Sequence, residues 1–121
     1  MLPSSNQILE YLGRDGVSRY AQWFDNLNPQ AAAKVAIAVT RMGQGNLSNI
    51  KGVSFGVFEY RIDFGPGYRI YFGKDGERIV ILLGGGSKKG QQRDIRNAIS
   101  RWRDYKDRKG KEKSHDLDER L

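Results

Sequence analysis

The sequence predicts an α+β fold, because its apolar residues are spaced in two different ways. Up to residue 43, and again after residue 90, they recur three or four positions apart, which is typical of helices packed by one face. From Phe58 to Phe72 they alternate with polar residues, which is typical of strands. With 121 residues, we expect one domain over residues 1–106 and a charged, flexible tail over residues 107–121.

Two consecutive helices are predicted before the strands. The first has an apolar face made of Val17, Tyr20, Ala21, Phe24 and Leu27. Asn28 can cap a second helix, Pro29 fits its first turn, and the helix is expected to end near Met42. Its predicted apolar stripe is Ala32, Val35, Ala36, Val39 and Met42. The sequence therefore predicts an N-terminal helical hairpin, preceded by an apolar stretch, Ile8 to Leu12, that suits a strand but is too short to assign.

Three antiparallel strands are predicted after the hairpin, over residues 58–64, 68–72 and 78–83. Gly65-Pro66-Gly67 and Asp75-Gly76 are turn sequences, so each strand is expected to pair with the next. One face of this sheet is expected to be apolar, with Tyr60, Ile62, Ile70, Phe72, Ile79 and Ile81.

The other face is predicted to present polar side chains. A three-residue loop at Gly65 to Gly67 would place Asp63 opposite Arg69 and Arg61 opposite Tyr71. Arg61 and Arg69 would then be diagonal neighbours, roughly 7 to 8 Å apart at the backbone. Two guanidinium groups and a phenol at this spacing can hold a phosphate and stack on a base. The alternative is an Asp63–Arg69 salt bridge on a solvated face.

A last helix is predicted to begin at Lys88, with Ser87 as its cap. Lys88 and Lys89 would then lie at a helix N-terminus, where free backbone N–H groups favour an anion, although a plain glycine-rich turn is an equal alternative. The helix is expected to pack through Ile95, Ala98, Ile99, Trp102 and Tyr105 and to project Arg93, Arg96, Arg101 and Arg103.

Charge and composition favour one class of binding partner and exclude several kinds of catalytic or metal site. The formal net charge is +7, and residues 86–113 alone hold eleven Lys or Arg against four Asp or Glu, which favours a polyanionic partner or, alternatively, a solvated basic helix. The chain has no cysteine and a single histidine, His115, so thiolate metal sites and cysteine nucleophiles are excluded. Its acidic residues show no ligand spacing, and no cofactor motif is present. We expect a soluble protein of a reducing compartment.

The segment YRIDFGPGYRIYF at residues 60–72 resembles the RelE/ParE superfamily of type II toxins, the addiction module killer proteins, near the HigB-like branch. Residues 79–86, Lys88-Lys89, QRDI at 92–95, and Ala98 with Trp102 extend the resemblance, which covers about residues 8–106. It implies a helical hairpin packed on a curved antiparallel sheet, with a C-terminal helix.

The resemblance implies a ribosome-dependent, metal-independent mRNA endonuclease that inhibits translation in the bacterial cytoplasm. A small helix-turn-helix antitoxin would restrain it and would be its only link to operator DNA; no cofactor and no membrane are involved. The implied catalytic residues are Arg61, Arg69, Lys88 and Lys89, and the implied RNA-binding residues are Tyr68, Tyr71, Arg93, Arg96 and Arg103.

Two departures from the family pattern leave the general base unassigned. Asp63 stands where RelE carries a second lysine, and His115 lies beyond the matching region. Two alternatives stay open: a ParE-like inhibitor of DNA gyrase without nuclease activity, and a catalytically inactive protein that binds only an antitoxin or nucleic acid.

Overall fold

One five-stranded sheet organises the chain, which we describe from a computed structural model covering residues 5–120, with side chains up to residue 112. The elements in order are β1 (Gln7–Glu10), α1 (Arg19–Asp25), α2 (Pro29–Gly43), β2 (Ile50–Ser54), β3 (Val57–Ile62), β4 (Tyr68–Lys74), β5 (Ile79–Ser87) and α3 (Gln91–Arg120). The strand order is β1-β5-β4-β3-β2. Three helices with one sheet confirm the α+β prediction. No helix within the described residues is long and apolar enough to cross a membrane.

A strand begins the described chain, so the prediction that a helical hairpin comes first is wrong. β1 pairs in parallel with β5, with Gln7 opposite Ile79, whereas the other strand pairs are antiparallel. The sheet is therefore mixed. A strand as short as β1 is stabilised by the distant strand with which it pairs. The periodicity of its own residues carries no information about that partner, so β1 could not be assigned from the sequence.

Side-chain caps begin both α1 and α2. The Ser18 hydroxyl accepts a hydrogen bond from the Ala21 amide at 3.0 Å, and Asn28 Oδ1 accepts one from the Ala31 amide at 2.9 Å, which confirms the predicted Asn28 cap. The buried residues of α2 are Ala31, Val35, Ala38 and Met42. Val35 and Met42 were predicted correctly, but Ala32 and Ala36 were not, because alanine is too small and too common on both helix faces to mark the buried one.

The two faces of the sheet pack against different helices. Tyr60, Ile62, Ile70, Phe72, Val80 and Leu82 pack with α1 and α2. Tyr71, Ile81 and Leu83 pack with Ala98 and Trp102 of α3. Ile79 and Ile81 therefore do not share the Ile70 face as predicted.

The length of the β4–β5 turn explains this error. Lys74 pairs with Val80, and the Asp75 amide donates to the Ile79 carbonyl at 2.9 Å, so the turn is longer than the two residues predicted at Asp75-Gly76. A register error by an odd number of residues moves every side chain of a strand to the opposite face.

α3 starts later than predicted. β5 continues through Ser87, and the helix begins at Gln91, where the Asp94 amide donates to the Gly90 carbonyl at 3.1 Å. Ser87 is therefore not a helix cap, and Lys88 and Lys89 lie in the turn before the helix. The backbone of α3 extends to Arg120 and so includes residues 107–120, which were predicted to belong to the tail. The side chain of His115 lies outside the described residues.

Candidate functional site

Arg61 and Arg69 lie directly opposite each other on β3 and β4. The Phe64 amide donates to the Ile62 carbonyl and the Gly67 amide to the Phe64 carbonyl, both at 3.0 Å, so the loop occupies residues 63–67. The predicted three-residue loop was too short, and the predicted pairs Asp63–Arg69 and Arg61–Tyr71 do not form. The two arginines are thus closer neighbours than the predicted diagonal pair, since directly opposite residues have Cβ atoms about 4.5 to 5.5 Å apart.

Glu59 is the counter-charge of both arginines, and its side chain is completely buried. Its Oε1 accepts a hydrogen bond from Arg61 Nε at 2.8 Å, and its Oε2 lies 3.6 Å from Arg69 Nε and 3.4 Å from Gln91 Nε2. The sequence analysis did not identify this residue. The alternation of residues 58–64 does place Glu59 on the face of Arg61, but that face is covered by α3 rather than by solvent.

Arg69 is the buried member of the pair, with 8% of its surface exposed. Its Nη1 has no hydrogen-bond partner among the described residues. Arg61 is different, because about half of its side chain, 53%, is exposed. One guanidinium is therefore fixed inside the protein and the other is presented to solvent, and a buried donor without a partner favours the binding of an anion.

A groove of about 500 Å³ lies over these arginines, and we call it the arginine groove. Its lining is Arg61, Ile62, Asp63, Gly65, Pro66, Gly67, Tyr68, Arg69 and Lys88. The Lys88 amide donates to the Gly67 carbonyl at 3.0 Å, which joins the turn after β5 to the β3–β4 loop. Gly65 and Gly67 have φ of +56° and +78°, a region that side chains other than glycine rarely adopt, so the GPG sequence suits this wall.

Four of the predicted site residues line the arginine groove: Arg61, Arg69, Lys88 and Tyr68. Lys89 is exposed in the turn after β5 but does not line the groove, and its carbonyl accepts a hydrogen bond from the Ser87 hydroxyl at 3.3 Å. Asp63 is the carboxylate in the lining.

Tyr71 does not have the outward position that was predicted. It is 1% exposed, because α3 covers its face of the sheet, so its ring is not accessible to a base. Burial, together with the negative charge of Glu59, raises the pKa of Tyr71 to about 12. Its hydroxyl has no hydrogen-bond partner among the described residues.

The arginines of α3 divide into two groups. Arg93, Arg96 and Arg103 are exposed, as predicted. Arg101 is not, because its Nη1 donates to the Leu83 carbonyl at 3.0 Å and burial lowers its pKa. The outer face of α3 therefore carries three exposed arginines, of which Arg93 lies 4.0 Å from Asp94 Oδ1, while Arg101 fastens the helix to β5.

Comparisons with known proteins find similarity both in sequence and in structure. No protein-family model matches the chain. An uncharacterized protein from Haemophilus influenzae is 42% identical over 80 residues, covering 65% of this chain and 81% of that protein. A chain in the crystal structure of the toxin–antitoxin complex RelBE2 from Mycobacterium tuberculosis superposes with a TM-score of 0.53 at 19% identity, covering 69% of this chain and 99% of that one. The resemblance to RelE-like proteins is confirmed at the level of the fold.

Proposed function

We propose that this chain, which belongs to the same family as the Haemophilus influenzae protein, is the toxin of a type II toxin–antitoxin system. Its fold is shared with a chain of a toxin–antitoxin complex, which supports this role. Its net charge of +7 and the exposed arginines of α3 support a polyanionic target. We further propose that it acts in the bacterial cytoplasm as an endoribonuclease on mRNA at the ribosome.

The observation that carries the nuclease proposal is the direct opposition of Arg61 and Arg69 at the floor of the arginine groove. In the proposed step, a ribose 2′-oxygen attacks the adjacent phosphorus and forms an O2′–P bond while the P–O5′ bond breaks. The products are a 2′,3′-cyclic phosphate and a 5′-hydroxyl. Negative charge builds on the phosphorane oxygens, and the two guanidinium groups stabilise it.

Proton transfer is assigned to the other polar residues of the groove. Asp63 takes the proton of the 2′-hydroxyl, because it is the carboxylate that lines the groove among the described residues, whereas Glu59 is buried and engaged by both arginines. Lys88 donates a proton to the leaving O5′. Lys89, one residue further on, adds positive charge that attracts the RNA backbone.

Expression in bacteria tests this function. Wild type should arrest growth and produce new mRNA 5′ ends, whereas Arg61→Ala and Arg69→Ala should lose both effects. Arg61→Ala is the more informative variant, because Arg61 is half-exposed and its loss leaves the core intact. Arg78→Ala, an exposed arginine in the turn before β5, is the matched control and should remain active. Growth arrest with intact mRNA and altered DNA supercoiling would instead identify a gyrase inhibitor.

A small helix-turn-helix antitoxin is the proposed partner, and operator DNA is contacted through it. It either covers the arginine groove with carboxylates or clamps α1 and α2. In the first case, Arg61→Ala lowers antitoxin affinity as well as activity; in the second, affinity is unchanged. Titration of both arginine variants against the protein encoded beside this gene distinguishes the two modes.

A further inference from the structure

A second groove, of about 220 Å³, lies between α2 and the end of β3, and we call it the α2 groove. Lys34, Ile37 and Arg41 line it from α2, and Asn49 and Phe64 line it from the opposite side. The proposed cleavage step uses none of these residues.

The α2 groove presents two cations that form no ion pair among the described residues, although the carboxylate of Asp63 also belongs to its lining. Lys34 and Arg41 are exposed, and neither has an ion-pair partner among the described residues. They lie seven residues apart, which separates them by about 10 Å along the helix. Lys34 Nζ lies 5.5 Å from the centroid of the half-buried Phe64 ring, and Ile37, between the cations in sequence, is 48% exposed. Positive charge beside an aromatic ring is the combination that binds a single strand of nucleic acid.

The two grooves meet at the end of β3. Arg61, Ile62 and Asp63 line both of them, so a strand that crosses Arg61 contacts the arginine groove on one side and the α2 groove on the other. Arg61 thus joins two sets of cations: Lys88 and Arg69 in the arginine groove, and Lys34 and Arg41 in the α2 groove. This continuity favours one extended polyanion over two separate ligands.

We propose that the α2 groove is a second binding site for single-stranded RNA, which holds the phosphates flanking the nucleotide that lies in the arginine groove. This inference rests on the proposed function, because it takes RNA as the occupant of the arginine groove. Lys34 and Arg41 each neutralise a phosphate, and Phe64 offers its ring to a base. RNA is favoured over an acidic peptide because the path is continuous with the arginine groove and includes an aromatic ring.

The test measures binding of 2′-O-methylated RNA, which cannot be cleaved, by fluorescence anisotropy over a salt series. Oligonucleotides of about four and about twelve nucleotides are compared. Lys34→Ala/Arg41→Ala is compared with wild type and with Lys74→Ala/Arg78→Ala, an exposed pair in and beside the β4–β5 turn, at the opposite end of β4 from the grooves. For the longer RNA, the Lys34/Arg41 variant should lower the slope of log Kd against log salt by about 1.4, since each phosphate contact on a single strand contributes about 0.7. Its affinity for the short RNA should be unchanged.

The outcomes separate this inference from the proposed function. If Lys34→Ala/Arg41→Ala binds the longer RNA as wild type does, or if the control pair weakens binding equally, the α2 groove is not an RNA site. If Arg61→Ala nevertheless abolishes binding of both RNAs, the proposed function stands alone. If wild type binds neither RNA, the inference is overturned, whereas the proposed function is overturned only if expression of wild type produces no new mRNA ends. If the variant loses affinity for the antitoxin and not for RNA, the α2 groove binds protein, and the inference is wrong.

Discussion

Arg61 Nε donates a 2.8 Å hydrogen bond to the fully buried carboxylate of Glu59, which lies two residues earlier on the same strand. Residues two apart on a strand project from the same face, so the Glu59 carboxylate and the Arg61 guanidinium are neighbours on one strand. Nε is the one side-chain nitrogen of Arg61 with a hydrogen bond among the described residues. The contact therefore orients the guanidinium through Nε and leaves Nη1 and Nη2 for a ligand.

The two arginines should contribute unequally to stability. Arg69→Ala should lower the free energy of unfolding by about 3 kcal/mol or more, because it leaves a buried carboxylate short of one cation. Arg61→Ala should lower it by less, about 1 to 2 kcal/mol, because it removes the 2.8 Å hydrogen bond to Glu59 but leaves a half-exposed position that water can enter. Urea unfolding measures both values. Equal losses would show that Arg69 is not the principal counter-charge.

Tyr71→Phe should leave stability unchanged or raise it. The Tyr71 hydroxyl is buried without a hydrogen-bond partner among the described residues, so its removal costs no bond and ends a desolvation penalty. RNA cleavage should also be unchanged, because the ring is inaccessible to substrate. Urea unfolding and mapping of mRNA ends check the two parts. A large loss of cleavage in a stably folded variant would restore the predicted base-stacking role.

Stability should fall as the pH rises from about 10 to about 12. Burial raises the pKa values of Tyr20, Tyr71 and Tyr105 from 10.0 to about 12. In this interval the unfolded chain has lost phenolic protons that the folded chain keeps, so each step in pH favours unfolding. Urea unfolding over this range should show the decline, and Tyr71→Phe should make it shallower. A flat profile would mean that these phenols ionise freely in the folded protein.

Gly73→Ala should destabilise the α3 face of the sheet. A Cβ at Gly73 would lie 2.5 Å from the indole ring of Trp102, which is itself buried between α3 and the sheet. Such overpacking costs about 1 to 3 kcal/mol. Gly110→Ala is the control: its Cβ would meet nothing within 4 Å, so helix propensity should stabilise the protein by about 0.5 to 1 kcal/mol. Thermal unfolding of both variants gives the comparison, and a neutral Gly73→Ala would contradict the packing described.

The outer face of α3 should govern long-range attraction to the ribosome. Arg96→Glu/Arg103→Glu should weaken ribosome association strongly at low salt and little at high salt, because exposed charges act through a screened field. Lys74→Glu/Arg78→Glu makes the same change in charge near the β4–β5 turn and should have a smaller effect. Sedimentation with ribosomes at two salt concentrations measures this. Equal binding of both variants at low salt would remove the role.

The sequence was sufficient to predict helix caps and the buried faces of helices, because these depend on residues close together in the chain. The Asn28 cap, the burial of Val35 and Met42, and the packing of Ala98 and Trp102 follow from side-chain type and helical spacing. What could not be predicted depended on distant partners: the pairing of β1 with β5, the presence of β2, and the lengths of both strand turns.

The arginine pair was also predicted only in part from local sequence. Alternation placed Arg61 and Arg69 on one face, but their exact register required the hydrogen bonds of the 63–67 loop. Glu59 was missed and Tyr71 was misplaced because a charged, alternating strand gives no sign that a later helix covers it. Whether a polar sheet face is buried depends on which helix packs against it, so the burial of this face could be recognised only from the position of α3 in the structure.

The parallel pairing of β1 with β5 also sets an order of events during synthesis. β1 leaves the ribosome before the other described elements, yet its neighbour in the sheet, with Gln7 opposite Ile79, emerges only after α1, α2 and three other strands. Contacts so distant in sequence form late, because a long loop must close before they stabilise anything. Lys88, which completes the wall of the arginine groove, emerges later still. The nascent chain thus stays without the complete wall of the arginine groove until β5 and the turn after it have been synthesised, and a partner synthesised beforehand meets the groove at the moment when it becomes competent to bind.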